Sequence, residues 1–313
     1  MVNTIENLLS RVEVLEPVSA NGLQVFGLRR PDVGRLSYLT LDEALKNDLV
    51  DVTEIDEGGR VPTLKVSNKA DRRLFLMSGE QLLGAKQNRV LNISIMVASK
   101  SDLPIPVSCV EAGRWRYRSR KFASSGTASH SYLRAMMVTH VTQSYRTAGS
   151  PTSQQNAVWS EVARKLGTMG SRSPSSALNE VYENYESRLK RIADLKVPAG
   201  SSGAVFAFDG RIVGMDLFDQ SVTFEKLWPK LVRSYAIDSF ETSEQPSNLT
   251  RDAVVAWLNV ALSAKSEKFR SPGIGDDVRF EGEHLVGSSL LVEDEPIHTE
   301  LFTTSPQTGS GSS

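Results

Sequence analysis

Residues 90–110 read VLNISIMVASKSDLPIPVSCV, and the fold turns on how this stretch divides. Residues 90–97 and 105–110 are rich in β-branched and other apolar side chains, with Ser101-Asp102 as a turn between them. No helical periodicity intervenes, so the two segments predict strands joined directly and paired antiparallel. Toward the N-terminus the same texture recurs at 74–77, at Leu64 and Val66, and at 50–55, with Asn68-Lys69 and Glu57-Gly58-Gly59 as turns. Thr40 with Glu43 three residues on makes a capping box for a short helix through about Lys46. Asn21-Gly22 inside 18–28 marks a β-hairpin. Residues 2–15 space Ile5, Leu8, Leu9, Val12 and Leu15 along one helical face.

Beyond residue 110 the pattern changes. Residues 123–131 are small and polar, and helices are predicted over 132–145, 155–166 and 175–190 or slightly further. A hairpin follows at 204–217, turning at Asp209-Gly210, then helices at 224–235 and 248–264, the latter with Thr250 as N-cap. Strands are expected at 278–280, 284–292 and 297–302, and the Ser/Gly-rich residues 303–313 read as a disordered tail. The expected class is α+β: a largely antiparallel sheet from the N-terminal half and the C-terminal hairpins, with a helical middle region. Residues 1–302 are expected to form one domain, with a subdivision near 122–150 as the alternative.

Composition excludes some functions. Apolar residues make up 40 %, enough for a sizeable core, and 36 Lys and Arg stand against 37 Asp and Glu. No global field therefore recruits nucleic acid or an anionic membrane. The single cysteine, Cys109, permits neither an internal disulfide nor a Cys-based zinc cluster, and fits a reducing compartment. The N-terminus lacks a signal-peptide pattern, and runs such as 93–98 fall short of the ~20 residues of a membrane span. A cytoplasmic protein without a membrane partner is expected.

The densest chemistry lies at Gly79-Glu80-Gln81-Leu82-Leu83-Gly84-Ala85-Lys86-Gln87-Asn88-Arg89. Glycines let a backbone approach a ligand closely, amides offer donors and acceptors, and a guanidinium is a planar fork for phosphate. A polar connection between two strands would explain the same residues. The second cluster, 104–115, places Glu111 at a strand end before Gly113, Arg114 and Trp115. Glu80 and Glu111 are the candidate general acids or bases; a structural ion pair is the plainer role for Glu111, and a buried apolar role the plainer one for Cys109. Arg89 and Arg114 are candidates to hold phosphate, Gln87 and Asn88 to read ribose or base, and Trp115 to stack. If residues 114–121 are extended, Arg114, Arg116, Arg118 and Arg120 share one side and Trp115 and Tyr117 the other. That pattern suits an anion or single-stranded nucleic acid, or simply a solvated edge strand. So short a strip contacts few phosphates, making nucleic acid an improbable principal partner. Gln154, Gln155, Trp159, Asp216 and Asp219 are further polar candidates. His130, His140, His284 and His298 are scattered, so no metal site and no cofactor are expected.

The blocks Ser78-Gly79-Glu80, Gly84 to Arg89 and Ile105 to Trp115 resemble the ARG and rhodanese-phosphatase-superfamily-associated protein family, a prokaryotic family of unknown function. Gln154-Gln155, Trp159 and Asp216-Leu217-Phe218 extend the resemblance over roughly residues 20–240. The association named in the family title, with ADP-ribosylglycohydrolases and rhodanese-type phosphatases, implies work near ADP-ribose or nucleotide chemistry in a defence or stress system. The leading expectation is a binding or sensor domain for a phosphorylated, nucleotide-derived small molecule. The alternatives are a hydrolase using Glu80 or Glu111, and an interaction subunit for a partner enzyme or a weak nucleic-acid binder.

Overall fold

The computed structural model describes residues 2–55, 62–242 and 247–304. The Asn21-Gly22 and Asp209-Gly210 dipeptides both adopt positive φ and close hairpins, as their chemistry demands. These hairpins meet in an eight-stranded antiparallel sheet. Its order is Glu13–Ala20, Leu23–Arg29, Gly203–Phe208, Arg211–Phe218, Glu295–Thr303, Leu285–Val292, Asp276–Gly282 and Lys265–Arg270. The N-terminal helix ends at Arg11 rather than residue 15, because Val14 already pairs with Leu28 in this sheet. Pro17 sits at a register shift on the sheet edge, where its missing N–H is tolerated.

Residues 50–128 build other sheets. A six-stranded sheet runs Phe122–Ala128, Glu80–Gly84, Arg89–Leu91, Ser101–Cys109, Thr63–Asn68, Val50–Glu54. A three-stranded one runs Tyr38–Thr40, Arg73–Leu76, Ile95–Val97, its first pair parallel. Residues 90–97 are therefore not one strand. The chain leaves the first sheet at Leu91 and enters the second at Ile95, because Asn92 and Ser94 turn to buried polar partners. Asn92 Nδ2 donates to Pro151 O at 3.1 Å, and Ser94 Oγ bonds His298 Nδ1 at 2.8 Å. The small-residue stretch after residue 122 forms an edge strand, not a linker. Ser101–Cys109 carries two prolines mid-sheet. Pro106 O accepts from Asn92 N while the Val107 N–H turns the other way, so the proline nitrogens face the side where Arg89–Leu91 has ended.

The class is α+β, as expected. Thr40 and Glu43 complete the capping box of Leu41–Lys46, and Thr250 Oγ1 caps Arg251–Leu262. The helix expected at 175–190 is two, Asn179–Asn184 and Glu186–Ala193, broken at Tyr185, whose hydroxyl donates to Met169 O. The last strand reaches Thr303, and Thr304 N bonds His284 O, so the ordered chain outlasts the expected tail boundary. The Glu57-Gly58-Gly59 turn and residues 305–313 lie outside the described residues. Among the described residues no helix is long and apolar enough to cross a membrane.

Helices Val2–Arg11 and Arg251–Leu262 bury Ile5, Leu8, Val254 and Leu258 on one face of the large sheet. On the other, Ser131–Ala148 and Ser221–Ser239 bury Leu133, Val138, Leu231 and Tyr235. Between the large sheet and the smaller ones lies an ionic network. Arg134 donates to both carboxylate oxygens of Asp216 and, at 2.8 Å, to Glu300. Tyr235, His298, Ser78 and Ser288 satisfy the remaining oxygens. Burial alone would raise the Asp216 pKa, but Arg134 and His298 hold it far below the usual carboxylate range. Arg134→Met strands two buried carboxylates, so it is expected to lower unfolding stability by about 3–5 kcal/mol. Urea denaturation checks this, and a loss under ~1 kcal/mol contradicts the keystone role.

Candidate functional site

The Gly79–Arg89 stretch is a hairpin: Gln81 pairs with Val90 and Leu82 with Arg89. Its two glycines do make close approaches, but to protein. A Cβ on Gly79 (φ +80°) would lie 2.9 Å from Arg134 Cδ, and one on Gly84 (φ +131°) 2.6 Å from Ser119 Oγ. Lys86, Gln87, Asn88 and Arg89 are all buried, so each needs partners inside the protein.

Glu111 and Arg114 supply those of Asn88. Arg114 Nε donates to Glu111 Oε1 at 2.9 Å and Nη2 to Oε2 at 2.7 Å. The other donors reach Ala85 O (2.7 Å), Arg116 O (3.0 Å), Gly84 O (3.2 Å) and Asn88 Oδ1 (3.2 Å), so the guanidinium fork is fully spent. Glu111 also accepts from Asn88 N at 3.0 Å and Ser175 Oγ at 2.6 Å. Burial raises its pKa, but Arg114, Ser175 and Asn88 outweigh burial and hold it below the ordinary value. Asn88 Nδ2 passes the chain on to Asn179 Oδ1 at 2.9 Å. This is an ion-pair clamp that shapes the 84–88 loop.

Arg89 lies beside the clamp, fully buried. Its Nη1 donates to Gln87 Oε1 at 3.1 Å and Cys109 Sγ at 2.8 Å, and its Nη2 is 3.6 Å from Glu54 Oε1. Nε and Nη2 have no hydrogen-bond partner among the described residues. Cys109 is a buried thiol whose pKa burial pushes to about 11, so it is no ready nucleophile. Gln155 clamps its backbone, Oε1 accepting from Cys109 N and Nε2 donating to Cys109 O.

Glu80 stands apart. It pairs with Lys230, which also bonds Asp42 at 2.8 Å, and accepts from Met77 N at 2.8 Å. None of these partners belongs to the Glu111–Arg114 cluster. Burial raises its pKa against the pull of Lys230. Glu111, Arg114, Asn88, Gln87, Arg89 and Trp115 are thus neighbours, while Glu80 belongs to the helix side of the sheet.

Residues 112–121 are irregular rather than extended, and fold over the 84–88 loop, Arg118 N donating to Ala85 O and Ala85 N donating to Ser119 Oγ. The expected two-sided alternation therefore fails: Arg114 turns inward, and both rings turn outward. Trp115 is 49 % and Tyr117 50 % exposed. The Lys86 ammonium lies 5.3 Å from the Trp115 ring centroid and 5.2 Å from that of Tyr117, and the Arg89 guanidinium carbon 5.9 Å from Trp115. Lys86 and Tyr117 lie in stretches singled out from the sequence but carry no ligand role in that reading, and Glu54 lies outside them. Arg116, Arg118 and Arg120 are exposed on the same segment. Asp216 is sealed in the Arg134 network, and Asp219 bonds the Tyr38 hydroxyl.

These features define an α+β protein with an ionic clamp beneath an exposed aromatic and cationic surface. The family model of the ARG and Rhodanese-Phosphatase-superfamily-associated Protein domain matches residues 11–302, nearly the whole chain, and the chain belongs to that family. No curated protein and no solved structure matches it.

Glu111→Gln keeps the shape of the clamp and removes its charge, with an expected cost of about 2–3 kcal/mol at pH 7. Because the Glu111 pKa is depressed on folding, its contribution is present above the ordinary Glu value of ~4.3 and is lost as pH falls through the folded value. The gap between wild type and variant in urea should therefore shrink below about pH 4. A gap constant from pH 7 to pH 3 contradicts the ion-pair assignment.

Proposed function

We propose that the chain is a binding or sensor protein for a phosphorylated, nucleotide-derived small molecule of the ADP-ribose or NAD type. The observation that carries this reading is the Lys86 ammonium between the half-exposed rings of Trp115 and Tyr117. A base stacks on such rings whatever its hydrogen-bonding pattern, and the ammonium with the surface arginines attracts the phosphate. Arg89, ion-paired with Glu54 and with Nε and Nη2 lacking hydrogen bonds among the described residues, backs the platform beneath Trp115. Trp115 keeps the stacking role expected of it, whereas Arg114, Asn88 and Gln87 support the platform rather than touch the ligand.

Binding is favoured over hydrolysis. Glu111 has both oxygens bonded and a lowered pKa, and Glu80 is sealed against Lys230, so neither is poised to take a proton from water. The family association with ADP-ribosylglycohydrolases and rhodanese-type phosphatases supports a ligand from ADP-ribose chemistry, a partner enzyme of that kind, and a defence or stress setting. The single buried thiol fits a reducing cytoplasm.

Thermal-shift measurements with ADP-ribose, NAD and AMP test the reading. At least one should raise Tm, and Trp115→Ala should weaken binding roughly 5- to 150-fold, the loss of ~1–3 kcal/mol of stacking. The ligand-free Tm of the variant should hardly change, since the ring is half in solvent. No shift with any of the three, or an equal shift in Trp115→Ala, contradicts the proposal.

A further inference from the structure

A cavity of about 280 Å³ lies where the loop bearing Arg35 and Tyr38 meets the start of helix Ser221–Ser239. It shares no lining residue with the Trp115 surface. Arg35, Arg72 and Lys226 line it against a single carboxylate, Glu43. That carboxylate is already engaged: Lys226 Nζ is 2.6 Å from its Oε1, and Thr40 N and Oγ1 donate to its Oε2 at 2.9 Å. Arg35 bonds Glu295 through its backbone N–H, so its guanidinium has no partner among the described residues. Arg72 spends one Nη2 donor on Tyr38 O at 2.8 Å and keeps the rest of its fork. Two arginines and a lysine therefore line one small cavity against one lining carboxylate, with Asp219 and Glu295 behind Gly34. Guanidinium forks match the tetrahedral oxygens of a phosphate group. The helix beginning there adds to the positive field of these side chains, with neither an acidic residue in its first turn nor a side-chain cap.

We infer that this cavity binds a phosphate-sized oxyanion, taken free or as the terminal phosphate of a small monoester. Its volume exceeds what one anion fills, leaving room for a small substituent such as a sugar. Tyr38 lines the cavity, and its hydroxyl bonds Thr223 Oγ1 at 2.8 Å and donates to buried Asp219. Asp219 also accepts from Gln220 Nε2 at 3.1 Å and lies in the field of Arg30 and Glu295. Burial raises its pKa to about 6, against the bonds from Tyr38 and Gln220 and with Glu295 adding to the rise. Lying behind Gly34 and Tyr38 of the lining, it opposes an anion in the cavity when ionised and not when protonated. Anion binding should therefore strengthen as pH falls through about 6.

Calorimetric titration of the full chain with inorganic phosphate and, in parallel, ribose 5-phosphate tests the site. Saturable binding at pH 7.5 is expected, weakened at least about 10-fold in the Arg35→Ala/Arg72→Ala double variant and unchanged in Trp115→Ala. Both replaced side chains are exposed, so the variant should fold. The ratio of the two affinities separates a free anion from a monoester as the ligand. No saturable binding, binding undiminished in the double variant, or binding lost in Trp115→Ala overturns the inference. The last result would move the anion to the aromatic platform, whereas failure of the nucleotide reading leaves this site untouched. Sulfate, dianionic throughout, should bind several-fold tighter at pH 5.5 than at pH 7.5, and this dependence should vanish in Asp219→Asn. Equal or weaker binding at pH 5.5 would also count against the site.

Discussion

The bidentate pairing of Arg134 with Asp216, deep inside the protein, is the constraint around which the other parts are arranged. Arg134 comes from a helix, Asp216 and Glu300 from adjacent strands of the large sheet, and Tyr235 from a second helix. Ser78, which donates to Glu300, belongs to the chain just before the Glu80–Gly84 strand. A buried charge without its partner costs several kcal/mol, so these elements can dock only in the arrangement that completes the set. Gly79 has no side chain because Arg134 passes against it. Lys86, at the candidate site, lies seven residues further along the same hairpin.

The same logic operates at smaller scale in the clamp of Glu111 and Arg114. The pair consumes the hydrogen-bonding groups that free carboxylates and guanidiniums would offer a ligand, and in return fixes the irregular segment 112–121 over the 84–88 loop. With the backbone held there, Trp115 and Tyr117 have no interior to enter and stand in solvent. Exposed rings on a rigid base lose little entropy on meeting a flat ligand, which is the condition for stacking to yield affinity. The acids and arginines most conspicuous in the sequence thus build the surface, and the rings of Trp115 and Tyr117 are what they leave outward.

Much of the fold was legible in the sequence because it rests on local chemistry. Asn21-Gly22, Asp209-Gly210, the Thr40–Glu43 box and the Thr250 cap each determine their own backbone, and the structure contains all four. What was not legible depends on distant partners. Asn92 and Ser94 split one apparent strand between two sheets because of Pro151 and His298, far along the chain. Residues 122–128 lack strand character alone and gain it by pairing with Glu80–Gly84. At the site, the neighbourhood of Gln87, Asn88, Arg89, Glu111, Arg114 and Trp115 could be anticipated from strand pairing. The separation of Glu80 could not, because Lys230 and Asp42, which claim it, lie 150 residues after and 38 before it.

The proposed function requires Lys86, Trp115 and Tyr117 to form a surface that takes a nucleotide-like ligand. A crystal structure of the chain grown with saturating ADP-ribose tests this most directly. The adenine ring should stack on Trp115 or Tyr117, with phosphate oxygens within hydrogen-bonding reach of Lys86 or a neighbouring arginine. Ligand density that leaves both rings bare and lies in another part of the molecule would contradict it.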